Sequence, residues 1–502
     1  MLVRKSFLAW AFSLFFLLQL PGLSAEKPEK CELAVIGGGP AGVYLSYRLA
    51  DSYGRGLCLF EISDHLGGRM TDEELGGAFV GTGARRVNEK QDYVIELARE
   101  LGVTLEAVPQ RSQLIFYKGV HGYASKDFVA LYPRLKAFGP LDDDPNTALD
   151  DELWSLLSSS IKQDPELGKK YPLLNDYILH VFEARFKDRN TAEDAFSYFR
   201  GMNRFQAEFK LPTATANYFE YIEKENETGP ENFYPKGGMH TFVKRMDEAV
   251  HDKIRIFLKE GLKQLEKAPE GYELRTTAGN VFVAGKVVLA IPKVSLSKVG
   301  GGLIAEIRKA PQFESILPVP IVVINQLWKD AWWEKAKDPN NTKASGQAWR
   351  AWSSDSCVNH VEIPQEAYLS EREKKPTRSV YSDDPNCNAL WTKLFYEKGI
   401  AGVEEEVVKG LQEVFNHPKH PLKVPKPLAT TFHYWPAGWY YAHKNSKYSN
   451  AEIAEWSRQP LKDHPDLMLV GEGYWLDRPG WSEGAYFSAD ALIESRKLKR
   501  QK

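Results

Sequence analysis

Hydrophobic and polar positions change rhythm along this chain, and each change marks an element. Leu33 to Ile36 is a short continuous apolar run ending at Gly37, which suits a buried strand. Val43 to Asp51 reads as a helix, and Gly56 to Phe60 as a second strand ending at Glu61. Strand, helix and strand make one βαβ unit. Residues 126–228 are rich in helix formers and charges with few strand-like runs, which predicts a helical insertion. From Gly271 to Pro292, polar-apolar alternation around the turn "AGN" predicts a hairpin feeding a buried strand, "KVVLAIP". Val319 to Trp328 and Leu428 to Trp439 look like strands of another sheet. Lys335 to Asn388 is polar, with turn residues and little periodicity, and reads as loop-like. Leu467 to Ser495 closes the pattern as strand, glycine turn and helix, and there is no internal repeat or low-complexity segment. The order predicts an α/β protein.

Composition narrows this. With 502 residues the chain can form two or three domains, and a net charge of −2 implies no polyelectrolyte partner. The only basic run is the tail "SRKLKRQK", read as a solvated end, so no nucleic acid is expected. Residues 1–25 look like a secretory signal: Arg4 and Lys5, then an apolar run from Phe7 to Leu20, then Ser24 and Ala25 at a small-residue cleavage site. The run is short of the roughly 20 residues that a bilayer span needs. The expectation is a secreted or periplasmic protein with no stable membrane span after cleavage. None of the four cysteines sits in a CxxC pair, so no metal is expected. Cys58, inside "LCLF", reads as a small core residue, whereas Cys357 and Cys387 lie in polar sequence and are expected to pair. Asn226 and Asn340 fit the glycosylation sequon, which matters only in a eukaryotic host.

The chemistry starts at the first βα turn. Gly37, Gly39 and Gly42 complete G-x-G-x-x-G, with Pro40 and Ala41 between the last two. Gly37 permits the tight turn, Gly39 lets a pyrophosphate approach the backbone, and Gly42 lets the helix pack on the strand. The N–H groups at the helix start face the phosphates. Glu61, about 20 residues on, is placed to accept hydrogen bonds from ribose hydroxyls. NAD and FAD both satisfy this unit. "HLGGRM" discriminates between them: Gly67 and Gly68 make a turn, and Arg69 brings positive charge towards the pyrophosphate.

G-x-G-x-x-G, an acid, then G-G-R resembles the FAD signature of the flavin amine oxidase superfamily, which includes monoamine, polyamine and L-amino-acid oxidases. Further matches follow in the family's order over the mature chain. "LGGAFVGTGARR" (Leu75 to Arg86) resembles the segment beside the flavin ring, and "YPKGGM" (Tyr234 to Met239) the turn back into the FAD domain. "KVVLAIP" resembles the strand whose Ala290-Ile291-Pro292 end touches the cofactor, and "GEGYWLDRPGWSEGA" (Gly471 to Ala485) the closing motif. The resemblance implies non-covalent FAD, since no cysteine stands near the closing motif. It implies cofactor contacts from Gly37, Gly39, Pro40, Ala41, Gly42, Glu61, Gly68 and Arg69, then from Gly83, Ala84, Arg85, Leu262, Ala290 and Pro292. Gly471, Glu472, Trp481, Ser482 and Ala485 complete the set.

The implied fold is α/β: a Rossmann-like FAD-binding domain from discontinuous segments (31–90, 232–300 and 460–495), a mixed-sheet substrate domain (91–125 and 301–459) and a helical insertion (126–231). In L-amino-acid oxidases a G-x-M-R segment supplies an arginine for the substrate carboxylate, and Arg86 of "GARR" aligns with it. A planar guanidinium suits that task, because it offers two parallel charge-assisted hydrogen bonds. "LGGAFVG" looks more like monoamine oxidases. Trp481, with Trp439 in "FHYWPAGWYY", offers aromatic walls, and that stretch resembles the secreted antibacterial L-amino-acid oxidases of molluscs. The implied reaction oxidises an L-amino acid at Cα; the imino acid hydrolyses to a 2-oxo acid and ammonia, and oxygen becomes hydrogen peroxide. An amine or polyamine oxidase, or a flavoprotein dehydrogenase with another acceptor, remains the alternative. One departure motivates the latter. The family usually has a lysine about ten residues before a Trp-Trp or Phe-Trp pair, but before Trp332-Trp333 that place falls on Val319, Pro320 or Val323. The partners implied are a small amine or amino acid and oxygen, with a homodimer possible.

Overall fold

The structure is a computed structural model, and it describes residues 28–108, 112–138, 149–225, 232–336, 349–363, 374–417, 421–495 and 498. The leader and both sequons, Asn226 and Asn340, lie outside the described residues. Among the described residues no helix is long and apolar enough to cross a membrane.

The first sheet is built on apolar runs that show no alternation, because both of its faces are covered. Strand Glu29–Ile36 lies between Leu57–Phe60 and Val281–Leu289, all parallel, with Leu33 opposite Leu57 and Ile36 opposite Leu289. Arg255–Phe257 extends it beyond Leu57–Phe60, and Leu467–Leu469 pairs in parallel with the end of Val281–Leu289. The expected hairpin forms, Gly271–Thr276 against Val281–Leu289, and a further antiparallel strand, Leu262–Ala268, lies outside it. Helices Pro40–Tyr53, Asp92–Leu101, His240–Val250 and Ser482–Glu494 cover one face, with Val43, Leu97, Phe242 and Tyr486 in a single core. Residues from both ends of the chain thus meet in this layer.

The second sheet is mixed. Its order is Ala429–Ala442, Ile316–Trp328, Lys375–Ser382, His360–Glu362, Trp349–Trp352, Ser112–Tyr117 and Val120–Gly122. The polar stretch expected to be loop-like therefore contributes three strands. Two of them have only four and three residues, too short to carry a period. Helices Leu149–Gln163, Leu174–Phe186, Arg189–Met202 and Thr215–Glu225 pack beside this sheet. Tyr177, Phe182 and Phe199 share a core with Val319, Ile321 and Trp439. Cys357 pairs with Cys387 as expected. Cys58 is not a free core thiol: it is bonded to Cys31. Its Cα comes 6.0 Å from that of Cys31, at the start of the neighbouring strand and within reach of a disulfide.

Candidate active site

The glycines of the first turn do separate work. Gly37 has φ +108°, and a Cβ there would stand 2.6 Å from the Ala290 carbonyl oxygen. A Cβ on Gly42 would collide with the Gly37 carbonyl, so helix and turn close only on glycine. Around a Cβ on Gly39 no protein atom lies within 4 Å, so the space over it is open. Helix Pro40–Tyr53 begins with proline and without a side-chain cap, which leaves its first N–H groups for a ligand. Ala41 is buried in its first turn. Glu61, at the end of its strand, accepts from the Gly38 N–H at 2.7 Å and from the Ser63 N–H and hydroxyl at 2.8 and 2.7 Å.

The G-G-R turn lies over this cradle. The Gly67 N–H donates to the Gly38 carbonyl at 2.8 Å, and Gly68 approaches Gly39 so closely that a Cβ would stand 3.2 Å from its Cα. Arg69 reaches across to Glu472 at 2.9 Å and to the Gly438 carbonyl at 2.5 Å. The expected phosphate-facing cation is therefore tied to the closing motif by an ion pair. Gly83 passes the Arg69 backbone at a distance only glycine allows, and Gly471 (φ +137°) donates to Ser488 at 3.1 Å. Pro40, Arg69, Ala84, Glu472, Ser482 and Ala485 line one cavity. Ala290 closes the turn, its N–H donating to Ile36 at 2.7 Å, and Pro292 caps a short helix behind it. Leu262 lines neither cavity. It is packed in the core with Phe60 and Leu289, beside Gly261, where a Cβ would meet Ile62.

A second cavity adjoins the first and shares Ala84, Tyr381, Trp439 and Trp481 with it. Arg86 and Arg85 both enter it. Arg85 is largely covered, pairs with Glu362 and lies 5.0 Å from the Tyr234 ring. Arg86 is a quarter exposed, with a guanidinium nitrogen 3.6 Å from Glu362 and Cζ 5.7 Å over Trp481. Trp439 stacks on Tyr381 with centroids 6.3 Å apart. Four residues absent from the sequence-level expectation also line this cavity: Arg204, His360, Glu362 and Arg378. Arg378 donates to the Gly81 and Gly83 carbonyls at 2.8 and 3.1 Å, and burial, helped by Arg85, lowers its pKa to about 10. Burial also holds His360 well below the usual histidine range, so it is neutral at pH 7.

Among the described residues no lysine lines either cavity, and the strand presents Ile321 to the cofactor side. Pro320 cannot donate to the ladder, and the register shifts between Val319 and Ile321. The alternatives Lys329 and Lys393 are exposed.

The residues present fit FAD. There is an open cradle over Gly39, an uncapped helix start, and a carboxylate at the second strand's end. Trp439 Nε1, buried beside the cofactor cavity, has no hydrogen-bond partner among the described residues. The comparisons agree. Residues 40–491 match the family model of flavin-containing amine oxidoreductases, and the chain belongs to that family. It is an FAD-dependent amine oxidoreductase and shares the fold of putrescine oxidase. It is 22% identical to Achacin of Lissachatina fulica over 96% of this chain and 98% of that one. It is also 22% identical to an uncharacterized protein of Acanthamoeba polyphaga mimivirus over 93% and 94% of the two chains. A structure of putrescine oxidase bound to putrescine superposes with TM-score 0.59 at 14% identity, covering 93% of this chain and 99% of that one.

Proposed function

We propose that this protein is an FAD-dependent L-amino-acid oxidase. The carrying observation is the cavity beside the cofactor cradle, where Arg85, Arg86, Arg204 and Arg378 face a single carboxylate, Glu362, among the described lining residues. A simple amine needs no such array; a carboxylate does. Bound FAD supplies the two-electron acceptor. Arg86, the more exposed arginine of the pair next to the cradle, holds the α-carboxylate and so fixes where Cα sits. Trp439 and Trp481 wall the reacting centre and exclude water, which favours the neutral substrate amine. An L-amino acid, water and oxygen then give a 2-oxo acid, ammonia and hydrogen peroxide.

Two observations favour other readings. Glu362 could take an ammonium, as an oxidase of amines requires, and the fold is shared with putrescine oxidase. Among the described residues no lysine lines either cavity, which favours an acceptor other than oxygen. The domain ranges given above and the carry-over of cofactor contacts belong to this proposal, as does secretion, which the two disulfides support. Peroxide release by the flavin-loaded protein, measured on L-amino acids and their decarboxylated amines, tests it. Turnover of the acids alone is expected; turnover of the amines alone overturns it, and flavin reduction without peroxide in air reassigns the acceptor.

A further inference from the structure

Residues 81–86 run along both cavities and are held from two sides. Strand Ala78–Gly81 precedes them and Val87–Asn88 follows, and residues 82–86 belong to no helix or strand. Gly83 and Ala84 line both cavities, and Arg85 and Arg86 line the second. Two N–H groups of this segment face the cofactor side. Thr82 donates to the Thr71 carbonyl at 3.0 Å and Ala84 to the Arg69 carbonyl at 2.9 Å, in or just after the G-G-R turn. The carbonyls face the second sheet instead. Those of Gly81 and Gly83 accept from Arg378 at 2.8 and 3.1 Å, and that of Thr82 accepts from Trp435 Nε1 at 2.7 Å. Three consecutive carbonyls are thus gripped by two side chains of one sheet.

Both donors are suited to this grip. Arg378 lies on the inner strand Lys375–Ser382, opposite Asn325 on one side and Glu362 on the other. It is buried, and one terminal nitrogen, Nη2, supplies both hydrogen bonds, so a single rigid group spans two carbonyls. Burial, helped by Arg85, lowers its pKa to about 10, which leaves it charged at pH 7 and both bonds charge-assisted. Trp435 stands on the edge strand Ala429–Ala442, opposite Ile321, and lines neither cavity. Glycine is required where the grip is closest. A Cβ on Gly81 would stand 3.0 Å from the Arg378 nitrogen, and one on Gly83 2.4 Å from the Arg69 carbonyl oxygen. The segment is therefore a strap between the cofactor cradle and the second sheet, with no slack on either side.

We propose that Arg378 and Trp435 are positioning residues for flavin reduction: by holding the carbonyls of residues 81–83 they set where Ala84 stands at the cofactor cavity and Arg86 at the substrate cavity. The effect runs through the backbone of the strap. It is the same for an amino acid and for an amine, so it does not depend on the substrate proposed above.

The test compares the wild type with Arg378→Gln, Arg378→Lys and Trp435→Phe. Hydrogen–deuterium exchange of the full chain, read on residues 79–88 and on strand Glu29–Ile36, reports the grip without any substrate. Exchange over 79–88 is expected to quicken on the order of 10-fold in Arg378→Gln and Trp435→Phe, less in Arg378→Lys, with the strand unchanged. In the flavin-loaded enzyme, the limiting rate of anaerobic flavin reduction by its best substrate is expected to fall roughly 10- to 100-fold. The half-saturating substrate concentration stays within about threefold. Unchanged exchange over 79–88 overturns the proposal. So does an unchanged limiting rate with weaker half-saturation, which would make Arg378 a substrate ligand. Faster exchange throughout, or lost flavin with a normal rate in the loaded fraction, reduces both residues to structural ones and overturns it too. Trp435→Phe keeps the ring in place, so the test stands even if Arg378→Gln fails to fold. The panel of acids and amines decides the substrate separately.

Discussion

Replacing Arg86 by alanine separates the amino-acid reading from the amine reading. The guanidinium sits 3.6 Å from Glu362 and 5.7 Å over Trp481, a quarter exposed. Two charge-assisted hydrogen bonds to a buried carboxylate would contribute roughly 1.5–3 kcal/mol each. Partial exposure weakens both, and the neighbouring arginines go on attracting the anion after Arg86 is gone. A net loss of about 2–3 kcal/mol is reasonable, or roughly 30- to 150-fold in kcat/KM. The carboxylate is held in both the ground state and the transition state, so KM rises; kcat falls as well, because the same contact positions Cα. Glu362 retains Arg85, so the substitution does not strand a buried charge. The assay is steady-state peroxide release on the best L-amino acid and on its decarboxylated amine, with flavin content measured for each preparation. The amino-acid-to-amine ratio of kcat/KM is expected to fall by the stated factor. An equal loss on both substrates would mean that Arg86 acts through the fold or the cofactor, and an unchanged ratio would remove it from substrate binding.

Gly42→Ala pushes a methyl group into the Gly37 carbonyl, so the variant is expected to purify with less than about a tenth of the wild-type visible flavin absorbance; full flavin content refutes the phosphate-cradle geometry. Both cysteine pairs are engaged in disulfides, so acid precipitation is expected to leave the flavin in solution, and colour retained by the pellet refutes non-covalent binding. Burial pushes Glu483 up to about 7, against the pull of the Tyr93 and Val94 N–H groups. Between about pH 4.5 and 7 the native state therefore keeps a proton that the unfolded chain has released. Stability falls as pH rises through that window, by roughly 3 kcal/mol at most, and is flat above it. Thermal midpoints of wild type and Glu483→Gln followed over that range should diverge, and parallel curves refute the assignment.

What could be read from the sequence follows the range of the contacts. The cofactor cradle depends on residues adjacent in the chain, because a strand, a turn and a helix start within a dozen positions already specify Gly37, Gly39 and Gly42. The ion pair between Arg69 and Glu472 spans 403 positions, and each partner was visible only through its own local motif. The substrate wall has no such local signature. His360 and Glu362 lie on a three-residue strand inside a polar stretch, and Arg204 lies between two helices, so neither hydropathy period nor motif marks them. Tertiary pairing alone brings these side chains to Arg86. Cys31 and Cys58 mark an intermediate case: Cys58 stands in a predicted strand and Cys31 two residues before the neighbouring one, and the fold brings their Cα atoms to 6.0 Å.

Ile321 lies where a backbone irregularity meets the cofactor cavity. Counting back from Trp332 lands on several residues of one strand, and alternation alone would give Val319, Ile321 and Val323 the same face. Pro320 interrupts the ladder, the register slips, and Gly438 on the partner strand leaves just enough room for Ile321, since a Cβ there would stand 2.6 Å from its Cγ1. Ile321 keeps that shared face, packing in one core with Val319 and Val323, and of the three it is the one that lines the cofactor cavity. An apolar group there contributes no positive charge to the cofactor side of the cavity.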